Sequence, residues 1–198
     1  MVKLAVAGTA IPILLWAYEF GPDPGHSGVP GEAGTCAQAG CHTGTANDPA
    51  NKGSVSVTFP NGQAYVPGVK QHLTVTIADP AATQQAWGFQ LTARASGTPS
   101  SMAGSLAFTD ANTLLMCSQV NLAVFQAQCQ NAKSDSCSTN TTTCPLSYSQ
   151  QYIEHSFTGY NATKGPGSGS YSFDWTPPAT NVGNARYINV IVELKGRD

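Results

Sequence analysis

An antiparallel β-sandwich is the fold class this sequence predicts, and three observations predict it. Short runs alternate polar and apolar residues, as in Ser54-Val55-Ser56-Val57-Thr58-Phe59 and His72-Leu73-Thr74-Val75-Thr76-Ile77-Ala78, the pattern of a half-buried strand. Turns rich in Pro, Gly and Asn separate these runs, and no amphipathic helix of useful length stands out between them. Charged residues make up only 10 % of the chain, against about 25 % in ordinary soluble proteins. Ser, Thr, Gly, Asn and Gln carry the solubility instead, as is common in exported β-rich proteins.

The chain divides into three stretches. Residues 1–19 begin Met1-Val2-Lys3 and continue apolar from Leu4 to Tyr18, broken by Gly8, Thr9 and Pro12. One positive charge ahead of an apolar run shorter than the roughly 20 residues of a full span fits a signal peptide. No small-x-small cleavage site precedes Glu19, so a retained membrane or assembly anchor is the other reading of this segment. Both readings put the protein outside the cytoplasm: periplasmic, on the cell surface or extracellular.

Residues 20–52 carry neither hydrophobic period. Gly21-Pro22-Asp23-Pro24-Gly25-His26-Ser27-Gly28-Val29-Pro30-Gly31-Glu32 is an irregular loop, and a loop this long is functional or disordered. The third stretch, residues 53–198, holds the sandwich. After the two strands quoted above, Ala86-Trp87-Gly88-Phe89-Gln90-Leu91-Thr92-Ala93-Arg94 keeps the same period, and Ser105–Phe108 and Thr113–Met116 are weaker strands. Gln151 to Phe157, Tyr171 to Trp175 and Arg186 to Glu193 complete the set, with Gly165-Pro166-Gly167-Ser168-Gly169 as a turn and Pro177-Pro178 as a stop. Trp87, Tyr171, Phe173 and Trp175 are core residues on this reading.

Residues 117–144 look like an insertion into the sandwich. Cys117, Cys129, Cys137 and Cys144 stand among Gln, Asn, Ser and Thr, and their spacing lacks the short hooks of a zinc site. They are expected to form two disulfides, in nearest-in-order pairing (Cys117–Cys129, Cys137–Cys144) or nested. The net charge of −2 and the absence of any Lys/Arg run exclude nucleic acid as a partner. No nucleophile elbow, phosphate loop or dinucleotide fingerprint is present.

Chemistry concentrates in Thr35-Cys36-Ala37-Gln38-Ala39-Gly40-Cys41-His42-Thr43-Gly44. Two cysteines followed at once by a histidine is the arrangement that attaches a c-type haem, although the usual form spaces the cysteines by two residues. A small Cys36–Cys41 disulfide loop is the competing reading. The six cysteines fit both, as three disulfides or as one haem with two disulfides. A covalent haem would give the coreless loop around it something apolar to bury.

Several segments together resemble the reelin N-terminal ("reeler") domain: Tyr65-x-Pro67-Gly68, Trp87-Gly88-Phe89-Gln90-Leu91-Thr92-Ala93-Arg94, Ile153-Glu154-His155-Ser156, and Phe173-x-Trp175-x-Pro177-Pro178. The chain resembles more particularly a bacterial reeler-like family in which a segment like His26-Ser27-Gly28-x-Pro30-Gly31-Glu32 leads into a Cys-x(n)-Cys-His motif. The resemblance implies an immunoglobulin-like sandwich, export, and one covalent haem c held by Cys36, Cys41 and His42.

The expected function is an exported monohaem c-type cytochrome that passes single electrons to redox partner proteins, within a membrane or multi-subunit assembly reached through the N-terminal segment. It is expected to be an electron-transfer protein rather than a catalyst. A non-redox binding or adhesion module, with Cys36–Cys41 as a disulfide, is the alternative. A haem enzyme or gas sensor with an open sixth position is a third reading. With His42 as proximal ligand, the sixth position has five candidates. His155 is first choice, beside a turn-rich region, and His26 second, in the same loop as the motif. His72, Met102 and Met116 follow, each with a plain role in the sandwich open to it.

Overall fold

Alternation dictates the inner layer. The computed structural model describes residues 21–32, 34–35, 53–82, 84–118, 144, 150–183 and, for backbone, 185–188. Strand β1 is Ser54–Thr58, β2 Gln71–Ala78, β3 Gln90–Ala95, β4 Thr98–Met102 and β5 Ser105–Phe108. Strand β6 is Thr113–Cys117 and β7 Gln151–His155; helix α1 (Phe157–Ala162), β8 (Ser168–Thr176) and β9 (Ala185–Ile188) follow. One sheet runs β1-β2-β8-β5 and the other β4-β3-β7-β6, with β9 also pairing β3, and every pairing is antiparallel. The predicted sandwich is the fold.

Leu73, Val75 and Ile77 of β2 face inward beside Tyr171, Phe173 and Trp175 of β8, in the register Leu73↔Phe173 and Val75↔Tyr171. Leu106 of β5 joins them from the same sheet, and Trp87, Phe89, Leu91, Leu115 and Ile153 complete the core. Burying each such side chain is worth about 1.5–3 kcal/mol. Both buried indoles keep a partner, Trp87 Nε1 donating to Gly165 O at 2.9 Å and Trp175 Nε1 to Ala103 O at 2.7 Å. The opposite face of β2 and β8 is polar: Thr74 Oγ1 meets Ser172 Oγ at 3.1 Å and Thr76 Oγ1 meets Ser170 Oγ at 3.0 Å.

Several elements differ from the sequence reading. The run from Ala86 pairs as a strand only from Gln90; residues 86–89 are buried but lie outside the ladder. The strand beginning at Gln151 ends at His155 instead of reaching Phe157, because Ser156 caps a six-residue helix by accepting from Gly159 N at 2.9 Å. Strand β8 begins at Ser168, inside the predicted turn. Strand β4, Thr-Pro-Ser-Ser-Met, carries no strand propensity and is held as an edge, where Pro is tolerated. Of the predicted strand from Arg186 to Glu193, residues 189–193 lie outside the described residues.

A disulfide joins Cys117 to Cys144, with Cα atoms 5.5 Å apart, which rules out the nearest-in-order pairing and agrees with the nested one. Ser118 N donates to Gln150 O at 2.8 Å, so the ladder of β6 and β7 continues beside this bond. Cys129 and Cys137 lie outside the described residues.

Candidate functional site

Strands β3 and β7 are buried on both faces, unlike β2 and β8. Their inner faces belong to the core; their outer faces carry Gln90, Thr92 and Arg94 from β3, and Tyr152 and Glu154 from β7. All five are 1 % exposed or less. A sheet face this polar can be buried only if something supplies partners. Residues 21–35 supply them, tied down at two points.

Gln90 makes the first tie. It stands opposite Glu154 in the register, and its Nε2 donates to Glu154 Oε2 at 2.9 Å and to Asp23 O at 3.0 Å. Its Oε1 accepts from His26 N at 3.0 Å. Gly21, at φ +89°, passes so close that a Cβ there would lie 2.8 Å from Glu154 Cδ, which explains the absence of a side chain.

Glu32 makes the second tie. Val29 O accepts from Glu32 N at 3.0 Å across Pro30 and Gly31, with Gly31 at φ +93°, as a turn with Pro at its second and Gly at its third position requires. The turn delivers Glu32 Oε1 to Arg94 Nη2 at 3.2 Å and to the Tyr152 hydroxyl, which donates at 2.7 Å. Arg94 Nη2 also donates to the Tyr152 oxygen at 2.8 Å. Glu32 Oε2 accepts from Ser27 N at 2.9 Å and from Ser27 Oγ at 2.7 Å. Both side chains of the ion pair are almost fully buried, 1 % exposed for Arg94 and 7 % for Glu32.

The electrostatics follow from burial. Desolvation raises Glu154 well above the ordinary carboxylate range; the Gln90 hydrogen bond opposes this and the charge of Asp23 adds to it. Desolvation also raises Asp23, partly offset by His26. Tyr152 is pushed up by desolvation and by its bond to Glu32, with Arg94 acting in the other direction. Glu154 Oε1, Asp23 Oδ1, and Arg94 Nε and Nη1 are buried and have no hydrogen-bond partner among the described residues. The fold brings the carboxylates of Asp23 and Glu154 within electrostatic range of each other.

Ser27 and Thr35 form an antiparallel bridge, and Gly28 N donates to Gly34 O at 3.0 Å. Residues 27–35 are therefore a small hairpin, with Glu32 near its tip and His26 at its base. His26 is half-buried, and its Nδ1 lies 3.0 Å from Asp23 O. A carbonyl only accepts, so Nδ1 carries the proton and Nε2 the lone pair. Among the described residues nothing bonds Nε2.

His155 sits on the other side of β7. It shares the inner face with Ile153, two residues away, and is 1 % exposed. Its ring packs 6.3 Å from that of Tyr171 and 6.5 Å from that of Tyr160. A Cβ at Gly88 would lie 2.6 Å from its Cε1. Its Nδ1 faces both Phe89 N at 3.0 Å and Phe89 O at 3.2 Å. Phe89 O already accepts from His155 N at 3.3 Å, whereas the Phe89 N–H needs this acceptor, so Nδ1 holds the lone pair and Nε2 the proton.

Cys36, Cys41 and His42 lie outside the described residues; Thr35 is the last described residue before them. His72 is exposed, its Nδ1 2.9 Å from Asp174 Oδ1, and Lys70 reaches the same carboxylate at 2.7 Å. The Met102 sulfur accepts from Gln151 N at 3.4 Å and from Thr92 Oγ1 at 3.7 Å. Met116 is fully buried in β6. Among the described residues no group of three or more His, Cys, Asp or Glu could hold a metal ion, and no helix is long and apolar enough to cross a membrane.

No family model and no curated protein matches the chain. Two crystal structures of the human F-spondin reeler domain are similar to it. One is 16 % identical, covering 68 % of this chain and 75 % of that one, with a TM-score of 0.37. The other is 15 % identical, covering 73 % of this chain and 92 % of that one, also at a TM-score of 0.37.

Proposed function

We propose that the protein is an exported monohaem c-type electron carrier, with Cys36 and Cys41 as thioether residues and His42 as proximal ligand. The observation that favours this reading is the way the chain is delivered to Cys36. Residues 21–35 are fastened to β3 and β7 by a buried ion pair and a buried amide. A plain linker has no need of such fastening, whereas a carrier must hold its redox group at a fixed place. When bound, the haem would supply one-electron chemistry, its potential set by axial ligands and by burial.

The donor set near the attachment segment suits that group. An imidazole whose Nδ1 is fixed on a carbonyl and whose Nε2 is left as a lone pair is prepared as an iron ligand. The Cys117–Cys144 disulfide belongs to an oxidising compartment and supports export. Electron partners would be other redox proteins, with residues 1–19 as an anchor or packing arm in a larger assembly.

The test is whether haem stays on the polypeptide under denaturing conditions and shows a sharp α-band on reduction. Covalently retained haem supports the reading. A haem-free chain with a Cys36–Cys41 disulfide overturns it in favour of a binding or adhesion module.

A further inference from the structure

We propose that the outer edge of β1 is a self-association surface. A second copy of this chain lays its own β1 there, antiparallel about a two-fold axis at Ser56, and the two β1-β2-β8-β5 sheets become one.

Strand β1 ends its sheet, and among the described residues no strand pairs with its outer edge. The unpaired N–H and C=O groups of such an edge are a template for another strand, and proteins blunt them with charge, proline, a bulge, shortness or a cover. The other strands that end the sheets carry these devices: β4 holds Pro99, β5 has four residues, and β6 is buried along its whole length. Strand β1 holds no proline and pairs with β2 in unbroken register over five residues. No charged residue occurs from Gly53 to Val69.

Self-complementarity identifies the occupant. Within the sheet, β1 sets hydroxyl against hydroxyl on the outer face, Ser56↔Thr76 and Thr58↔Thr74, and apolar against apolar on the inner face, Val55↔Ile77 and Val57↔Val75. A two-fold axis at Ser56 repeats both kinds of pair. Ser54 meets the partner's Thr58, Val55 meets the partner's Val57, and Ser56 meets the partner's Ser56. Such pairs are the unit of sheet stabilisation, and the contact closes on itself as an isologous dimer. An axis midway between two residues would set every valine against a hydroxyl and put the faces out of step.

The core is also open on this side. Leu73, Val75 and Ile77 of β2 are wholly buried, whereas Val55 and Val57 pack against the same core and are only partly buried. The partner's valines would cover them. Five residues a side is a small contact, of the class below about 1,200 Å² that forms transient complexes. The dimer is therefore reversible and weak.

The experiment is sedimentation of the full chain from about 1 μM to 1 mM, where a reversible monomer–dimer equilibrium is expected. Ser56 is exposed, so Ser56→Lys and Ser56→Asp leave the monomer intact, as an unchanged far-ultraviolet circular dichroism spectrum would show. Each sets like charges face to face in the dimer alone and is expected to weaken it about tenfold or more. A one-to-one mixture of the two variants is expected to dimerise again, because opposite charges now meet on the axis. Ser170→Lys, exposed on the same face but inside the sheet, is expected to leave the dimer unchanged. Amide exchange reads the same contact without substitution: protection of Ser54–Thr58 is expected to rise with protein concentration. A wild type that stays monomeric throughout, with concentration-independent exchange, overturns the proposal. So does a dimer that Ser56→Lys leaves intact, which puts the contact elsewhere. A mixture that dimerises no better than its components overturns the two-fold pairing at Ser56.

Discussion

Arg94 Nη2 and Glu32 Oε1 lie 3.2 Å apart between a β-strand and a loop 62 residues earlier in the chain, with both side chains almost entirely out of water. Tyr152 closes the triangle, accepting from Arg94 and donating to Glu32. Two buried charges would be costly alone; together, with Ser27 supplying two further donors to Glu32, they hold the hairpin against the sheet.

Removing one partner leaves the other charge buried. Glu32→Ala is expected to destabilise the protein by about 3–5 kcal/mol, the usual cost of breaking a buried pair. Denaturant unfolding measures it, and a loss under about 1 kcal/mol, typical of surface pairs, would contradict the account.

Tyr152→Phe deletes a hydroxyl that bonds both partners. The expected loss is about 1–3 kcal/mol. Combined with Glu32→Ala the effects are expected to be less than additive, because both changes break the same network. Strict additivity in a double-mutant cycle would separate the two residues.

The inner sheet faces were legible from the sequence because their cause is local. Leu73, Val75 and Ile77 alternate with polar residues, and so do Tyr171, Phe173 and Trp175, so period two marked the core directly. Val29-Pro30-Gly31-Glu32 carried its own turn chemistry. The outer face of β3 and β7 was not legible. By period two Arg94 and Glu154 fall on the face opposite Leu91 and Ile153, and among the described residues the distant segment around Gly21 and Glu32 covers them. Strand β4 was missed because Pro99, Ser100 and Ser101 lack strand propensity and pairing with β3 decides the matter. His155 could be placed near a strand end, but its side of the strand follows from the register, in which Glu154 stands opposite Gln90 and His155 opposite Thr113. Cys36, Cys41 and His42 stood out as a sequence motif and lie outside the described residues.

Glu154 gives the protein a pH dependence. Burial raises its folded-state pKa well above the ordinary carboxylate range, so the folded chain holds a proton that the unfolded chain releases. The stability this proton provides is complete below the unfolded pKa and is lost as pH rises toward the folded one. As pH rises above the ordinary carboxylate range, wild type is expected to lose stability relative to Glu154→Gln, whose curve should be flatter. Parallel curves would contradict this.

Gly88 is the floor under the His155 ring, where a Cβ would lie 2.6 Å from Cε1. Gly88→Ala is expected to cost about 1–3 kcal/mol through overpacking. Gly97→Ala, with nothing within 4 Å, is the control and should change stability far less. Equal melting shifts for the two would show that the imidazole is not packed as described.

The Cys117–Cys144 bond joins the end of β6 to a residue 27 positions later. Replacing both cysteines by alanine is expected to lower stability by about 2–5 kcal/mol. Denaturant unfolding of the oxidised wild type against the variant measures it, and equal stabilities would contradict the account.

The most direct measurement of the central claim is the mass and redox spectrum of the intact purified chain. The account predicts one haem per polypeptide, retained after denaturation, with a sharp reduced α-band, and lost when Cys36 and Cys41 are both changed to Ser. An unmodified mass with Cys36 disulfide-bonded to Cys41, and no visible absorption, would contradict it.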